Sequence, residues 1–298
     1  MYSRTENLTV ASLIIEKIRD YMTLLKFRLS FLVAFSSAFG YAMGNKGPID
    51  WGHFIMFVIG GFLISGASIT INQILEKDYD KLMKRTHDRP LPANRVSVNE
   101  ATVYAGITAL AGFIILIAFS NWLTTVLALF SMIMYGFVYT PLKRVGPIAV
   151  FMGAIPGALP PLLGWIAATG SVSFEAAVIF AIQFIWQFPH FWAIAWVADD
   201  DYRKAGFKLL PGNGQKSPGV AAQIMIYTFF LVPLGLLPAK FGMTGPVSAV
   251  VATVAGILFF IPAFSLVRRG ARNAALKTMY GSFLYLPLVQ AAYLFDKI

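Results

Sequence analysis

Residues 72–92 read NQILEKDYDKLMKRTHDRPLP. The stretch starts inside an apolar run, since the eighteen residues before Asn72, residues 54–71, carry no charge. It ends in a polar loop. Asn72, Glu76 and Asp80 are four residues apart, so a helix would place them along one face. Oxygen ligands in a line at the mouth of an apolar segment suit a hard cation such as Mg²⁺.

Basic residues follow this acidic face directly, at Lys84, Arg85 and Arg89. Carboxylates for a metal ion beside cations for an anion are typical of a diphosphate site. The alternative is a solvated loop, which commonly follows a membrane helix. We favour the site because the acidic face begins within the helix, where ionisable groups are costly and usually functional.

Composition indicates a membrane protein. Of the 298 residues, 57% are hydrophobic and 13% are charged, whereas a soluble domain carries about 25% charged residues. Apolar runs of about twenty residues recur along the chain, as expected of a polytopic helical membrane protein. There is no Cys, which excludes disulfides and thiolate sites, and the three His residues are too scattered for a zinc motif.

We predict an all-α fold with nine membrane-spanning helices. Residues 1–22 form an N-terminal cytoplasmic amphipathic segment at the membrane surface, and residues 23–298 form a single transmembrane domain. The predicted spans are about 23–43, 53–76, 99–119, 122–141, 147–167, 173–197, 219–239, 245–267 and 276–295.

The distribution of basic residues predicts the orientation. Of the 24 Lys and Arg residues, only Lys46, Lys240 and Lys297 fall on one side of the predicted membrane. This asymmetry places the N-terminus in the cytoplasm and the C-terminus outside, in a bacterial-type inner membrane. It also explains most of the net charge of +10 without nucleic acid as a partner.

A second acidic cluster, Asp199-Asp200-Asp201, ends span six on the same cytoplasmic side. Like the first cluster it closes an even-numbered span and is followed by basic residues, which suggests a duplicated half. A prenyl diphosphate would fit between the clusters, with its charged head on Mg²⁺ and its apolar tail in the bundle.

Two further features lie inside the predicted spans. Residues 156–165 are rich in Pro and Gly, which predicts an interrupted helix beside a cavity; a packing kink is the alternative. His190 lies eleven residues before Asp201, roughly 15 Å deeper along a helix. It is surrounded by aromatic residues, so we favour a cavity-facing role over a hydrogen bond that only joins helices.

These stretches resemble the intramembrane prenyltransferases of the UbiA type, and within that superfamily they are most similar to the protohaem IX farnesyltransferases. The resemblance implies a nine-helix bundle around a central cavity with two aspartate-rich motifs, the first of which Asn72, Glu76 and Asp80 match. The stretches that carry it are residues 72–92, 139–144, 155–165 and 186–191, with Asp201-Tyr202, Ala205-Gly206 and Leu210-Pro211.

The resemblance also implies roles for individual residues. Those expected to hold Mg²⁺ and diphosphate are Asn72, Glu76, Asp80 and Asp201, with Asp78 and Asp200 assisting. Those expected to bind substrate are Lys84, Arg85, Arg89, Lys143, Arg144 and Tyr202, with His190 on the haem side. The sequence departs from the family at Lys26-Phe27-Arg28, where Pro is usual between the cations, so Lys26 and Arg28 receive no role.

The implied reaction joins farnesyl diphosphate to a vinyl group of haem B with addition of water, giving haem O and diphosphate for terminal oxidases. Its implied partners are the lipid bilayer and haem-handling or oxidase assembly proteins.

Two other functions remain alternatives. One rival is a prenyltransferase of the same fold that acts on an aromatic acid for quinone synthesis. A second is a transporter, which the position of the acids at one membrane face rather than the midplane disfavours.

Overall fold

The computed structural model describes residues 10–298, and this range folds into fourteen α-helices and one π-helical segment. The helices are α1 (Val10–Leu24), α2 (Phe27–Gly44), α3 (Trp51–Leu75), α4 (Lys77–Asp80), α5 (Val98–Phe119), α6 (Trp122–Ile133), α7 (Thr140–Val145), α8 (Ile148–Thr169), α9 (Phe174–Val197), α10 (Asp199–Lys204), α11 (Pro218–Leu234), α12 (Leu237–Lys240), α13 (Pro246–Arg269) and α14 (Arg272–Phe295); the π-helical segment is Met134–Tyr139. The first nine residues of the predicted segment 1–22 lie outside the described range.

The predicted all-helical membrane fold is confirmed, whereas the count of nine spans is not. Seven stretches of the described chain are long and apolar enough to cross a membrane, and an eighth follows if α1 and α2, bent by 48°, count as one. The ninth predicted span is α14, which has 24 residues but is less apolar than the other long helices. Its length is nevertheless sufficient to cross a bilayer.

The long helices pack side by side into one bundle. Helix α2 packs against α3, α8 and α14, while α9 packs against α8, α11 and α14. Large apolar side chains such as Ile107, Ile117 and Leu284 are exposed on the outside, as expected of a surface that faces lipid. Helices α1 and α5 meet at the predicted cytoplasmic end, where Lys17 Nζ lies 2.7 Å from Glu100 Oε1.

Helices α2 and α8 approach closely because each has a glycine at the crossing. A Cβ on Gly40 would lie 1.9 Å from the Pro161 carbonyl oxygen, and one on Gly164 would lie 1.9 Å from the Ser37 carbonyl oxygen. Both neighbours are backbone atoms, which cannot move aside as a flexible side chain can. The crossing therefore requires glycine at both positions.

We expect Gly40→Ala to lower the free energy of unfolding by about 1–3 kcal/mol, the usual cost of overpacking. Gly106→Ala in α5 is the matched control, because a Cβ there would have no atom of the described chain within 4 Å and alanine favours the helix. Thermal melting in detergent measures both. Equal melting temperatures for the two variants would contradict the close crossing.

The prediction that Pro and Gly residues interrupt the fifth span is wrong. Helix α8 runs unbroken from Ile148 to Thr169 through Pro156, Pro160 and Pro161. Pro161 has no N–H to donate to the Gly157 carbonyl oxygen one turn earlier. Gln183 of α9 replaces it, since its Nε2 donates to that oxygen at 2.8 Å. A neighbouring helix thus satisfies the backbone group that proline leaves unpaired, as membrane interiors require.

Candidate functional site

Both acidic segments follow a break at the end of a long helix. Helix α3 ends before Glu76, whose φ and ψ are −98° and 4°, and α9 ends before Ala198, whose φ and ψ are −98° and 15°. The short helices α4 and α10 then carry the acidic residues. The two breaks have nearly the same backbone geometry, which agrees with the predicted duplication.

The break in the first segment keeps the predicted spacing of its three polar residues. The Glu76 N–H donates to the Asn72 carbonyl oxygen at 3.0 Å, and the Asp80 N–H donates to the Glu76 carbonyl oxygen at 2.8 Å. These are helical hydrogen bonds between residues four apart, so the three side chains stay one turn from each other. All three are buried.

Each buried carboxylate has a cationic partner. Lys143 Nζ lies 2.8 Å from Glu76 Oε1, and Arg89 Nη1 donates to Asp80 Oδ2 at 2.7 Å. Lys143 also lies over the ring of Tyr139, 4.6 Å from its centroid. Pairing of this kind keeps charges tolerable in a buried environment, and losing one partner is costly. The site therefore holds two carboxylates and two cations that could change partners when an anion and a metal ion bind.

The structure brings the second acidic segment against the loop after the first. The two carboxylate oxygens of Asp201 accept hydrogen bonds from the backbone N–H groups of Lys84 and Arg85, each at 3.2 Å. The Arg85 guanidinium lies 5.7 Å from the centre of the Tyr202 ring. Predicted residues that are far apart in the chain thus meet at one end of the bundle.

Other predicted residues lie at the margin of this cluster. The side chains of Asp78 and Asp200 are 83% and 85% exposed, and they pair with Lys81 and Arg203. The structure does not bring either carboxylate to the buried acids. Arg144 contacts the hydroxyl of Tyr79 and lies over its ring, 4.7 Å from the centroid.

A Mg²⁺ site among these residues would combine an amide oxygen with carboxylate oxygens. Within residues 10–298, no group of three His, Cys, Asp or Glu side chains is arranged to hold a metal ion. The nearest set combines the Asn72 amide with the carboxylates of Glu76 and Asp80, all of them oxygen ligands that suit Mg²⁺. Asp80 Oδ1 is buried and accepts no hydrogen bond within the described chain. A buried oxygen without a partner is unusual, so this atom is free to bind a cation.

Lys26 is also part of the site, although the sequence did not predict a role for it. It lies at the break between α1 and α2 in the left-handed conformation, with φ 44°. Its ammonium group interacts electrostatically with Asp80, Glu76, Arg89 and Lys143. A lysine directly before an apolar helix was the available signal, but its left-handed backbone conformation is not visible in sequence.

Aromatic rings connect the acidic end of the site to His190. The Tyr139 ring lies 5.3 Å from Tyr135 and 6.4 Å from Phe191 between ring centres. Phe191 in turn lies 5.2 Å from the His190 ring. The wall between the ion pairs and the histidine is therefore aromatic, and aromatic faces attract cations.

His190 joins α9 to α14 through one ring nitrogen. Its Nδ1 lies 2.8 Å from Ser282 Oγ, and the Ser282 hydroxyl donates its hydrogen to the Met279 carbonyl oxygen. Ser282 Oγ must then accept, which places the imidazole hydrogen on Nδ1. His190 Nε2 therefore carries a lone pair, and it makes no hydrogen bond within residues 10–298.

The sequence matches known proteins along most of its length. A model of the UbiA prenyltransferase family matches residues 33–286. A protohaem IX farnesyltransferase of Cytophaga hutchinsonii is 52% identical, over 93% of this chain and 97% of the relative. One of Christiangramia forsetii is 42% identical, over 93% of each chain.

Solved structures of low sequence identity share the fold. A UbiA homologue from Archaeoglobus fulgidus, bound to GPP and Mg²⁺, superposes with a TM-score of 0.69 at 18% identity, covering 92% of this chain and 99% of that one. A structure described as digeranylgeranylglyceryl phosphate synthase reaches a TM-score of 0.78 at 18% identity, covering 94% of this chain and 98% of that one.

Proposed function

The chain belongs to the UbiA prenyltransferase family, and we propose that it transfers a farnesyl group from farnesyl diphosphate to a vinyl group of haem B. Water adds in the same reaction, so the products are haem O and diphosphate. The observation that carries this function is 52% identity with a protohaem IX farnesyltransferase over nearly the whole chain. The buried acids, their cationic partners and the aromatic wall supply the chemistry that it needs.

The diphosphate head binds at the cytoplasmic end of the bundle in this proposal. Asn72, Glu76 and Asp80 would hold Mg²⁺, which neutralises charge on the leaving diphosphate. Lys143 and Arg89, which neutralise the two carboxylates in this structure, would then turn to the phosphate oxygens. Lys84, Arg85 and Arg144 add positive charge at the mouth of the site, where Asp201 fixes the loop through its backbone bonds.

Farnesyl transfer follows from ionisation at this site. The C–O bond to diphosphate breaks and leaves an allylic cation, which the rings of Tyr135, Tyr139 and Phe191 can stabilise in a dry environment. The vinyl π electrons of haem B form the new C–C bond, which moves the positive charge to the vinyl carbon next to the porphyrin. Water adds at that carbon and releases a proton, so the product carries a hydroxyl group.

His190 lies on the acceptor side in this proposal. It is separated from Tyr139 by a single ring, that of Phe191, and its Nε2 is free to bind a ligand. A neutral imidazole nitrogen is a common ligand of haem iron. We infer that His190 contacts haem B, while Asn72, Glu76 and Asp80 hold the Mg²⁺ ion that binds the diphosphate.

Acceptor binding tests the choice of haem B. The purified protein should bind haem B and show a changed haem absorption spectrum, and it should not bind 4-hydroxybenzoate. Binding of the hydroxybenzoate without haem would instead support an aromatic prenyltransferase. Lipid vesicles that contain the protein should show no solute flux, since flux would support a transporter.

We also propose how the chain is arranged in the membrane. Helix α1 lies at the cytoplasmic surface, residues 23–298 form one transmembrane domain in the bacterial inner membrane, and the C-terminus is outside. Haem-handling or oxidase assembly proteins would supply haem B and remove haem O, because neither is soluble in water.

Cysteine labelling can test this orientation, because the chain has no Cys. We expect Ser171→Cys to react with an impermeant thiol reagent added outside intact cells, and Asn213→Cys to react only after the cells are opened. Both positions are exposed, so accessibility within the protein is matched. The reverse pattern would move both acidic segments to the outer side.

A further inference from the structure

Thr140 lies behind the first acidic segment at the end of the π-helical segment. It is buried, and its hydroxyl donates to the Tyr135 carbonyl oxygen, five residues earlier, at 2.9 Å. The same Oγ1 lies 2.8 Å from Asn72 Nδ2 of α3. π-Helical turns are rare and occur frequently at functional sites, and here the turn places a hydroxyl group against a predicted metal ligand.

Counting hydrogens fixes the orientation of the Asn72 amide. A threonine hydroxyl has one hydrogen, and Thr140 gives it to the Tyr135 carbonyl, which can only accept. Thr140 Oγ1 must therefore accept from Asn72, so the amide turns its NH₂ group toward Thr140. Oδ1 is then the atom that faces away from Thr140, and it makes no hydrogen bond within residues 10–298.

We propose that Thr140 is a positioning residue that keeps the Asn72 carbonyl oxygen directed at the metal ion. The inference rests on the proposed function, in which Asn72 is a ligand of Mg²⁺. Only the oxygen of an amide can bind Mg²⁺, and an amide that rotates by half a turn presents N–H groups that repel the cation. The hydrogen bond from Asn72 to Thr140 makes that rotation costly, because the Thr140 hydroxyl could donate to Oδ1 only by giving up its hydrogen bond to the Tyr135 carbonyl oxygen.

Two variants of Thr140 separate positioning from packing. Thr140→Val keeps the shape of the side chain and removes the hydroxyl, whereas Thr140→Ser keeps the hydroxyl. The probe is a farnesyl diphosphate analogue with sulfur as the bridging atom, which binds but does not react. Its binding is measured by calorimetry over a range of Mg²⁺ concentrations, with haem B binding measured on the same samples.

We expect Thr140→Val to raise the Mg²⁺ concentration for half-maximal analogue binding about tenfold, the size expected for one lost hydrogen bond. Thr140→Ser should restore it to within about twofold, and haem B affinity should stay unchanged in both. An unchanged Mg²⁺ dependence in Thr140→Val, no restoration by Thr140→Ser, or a parallel loss of haem B affinity would overturn the inference.

A double-mutant cycle provides the decisive check. Asn72→Asp replaces the amide by a carboxylate, whose two oxygens are equivalent, so orientation no longer matters. Thr140→Val should then cause no further shift in Mg²⁺ dependence, and a full shift in that background would overturn the inference. Failure of the proposed function has a different signature, namely analogue binding by the unmodified protein that does not depend on Mg²⁺.

Discussion

Asp80→Asn should lower the rate of farnesyl transfer by about 10²–10³-fold, the loss typical when one charge-stabilising group is removed from an active site. The Asp80 side chain is fully buried; one oxygen accepts a hydrogen bond from Arg89, and the other has no hydrogen-bond partner among residues 10–298. Asparagine keeps the shape but removes the negative charge that holds a cation. It also leaves Arg89 without its ionic partner, so both halves of the diphosphate site are affected.

The matched control for this variant is Asp78→Asn in the same short helix. The Asp78 side chain is 83% exposed and pairs with Lys81, and an exposed ion pair of this kind contributes little to stability. We expect this control to retain nearly full activity. Turnover and melting temperature are measured for both variants at saturating Mg²⁺. Near-normal turnover of Asp80→Asn, or an equal loss in Asp78→Asn, would show that the buried acidic face is not the site.

The second large effect is expected at His190. His190→Ala should weaken haem B binding at least about tenfold and abolish most turnover, while the affinity for the farnesyl diphosphate analogue stays within about twofold. The affinity for the analogue should be unaffected because Phe191 and Tyr139 lie between the His190 imidazole and the ion pair of Lys143. Asp201→Ala should show the opposite pattern, because Asp201 fixes the loop at Lys84 and Arg85.

Ser282→Ala is the control for the structural contribution of His190, which is its hydrogen bond between α9 and α14. It removes the hydrogen bond that joins α9 to α14 but keeps the imidazole. If His190 only joins helices, Ser282→Ala and His190→Ala should lower the melting temperature alike and weaken both ligands in proportion. In that case the haem-side assignment would be abandoned and the diphosphate site alone retained.

Sequence patterns were sufficient to predict the long helices of the bundle, because the apolar runs end at charged or turn residues. The predicted span 173–197 corresponds to Phe174–Val197, for example. The continuity of α8 was not predictable in the same way. It depends on Gln183, which lies 26 residues from the carbonyl group that it satisfies, and a contact of this kind is visible only in three dimensions.

The residue types of the site could be predicted from the sequence, but the directions in which their side chains point could not. Asp199 and Asp200 are adjacent and chemically identical, yet the side chain of Asp199 is 9% exposed and that of Asp200 is 85% exposed. A run of three aspartates has no periodicity that could show which of them faces inward. Lys26 and Thr140 were not predicted as site residues, and neither the left-handed conformation of Lys26 nor the π-helical turn before Thr140 is visible in the sequence.

Product analysis tests the central claim most directly. The purified protein is incubated with haem B, farnesyl diphosphate and Mg²⁺, and the mass of the haem and the release of diphosphate are followed together. The account predicts a haem that gains one farnesyl group and one water, with one diphosphate released for each haem converted. Unchanged haem beside released diphosphate and farnesol, or prenylation of a hydroxybenzoate in its place, would contradict it.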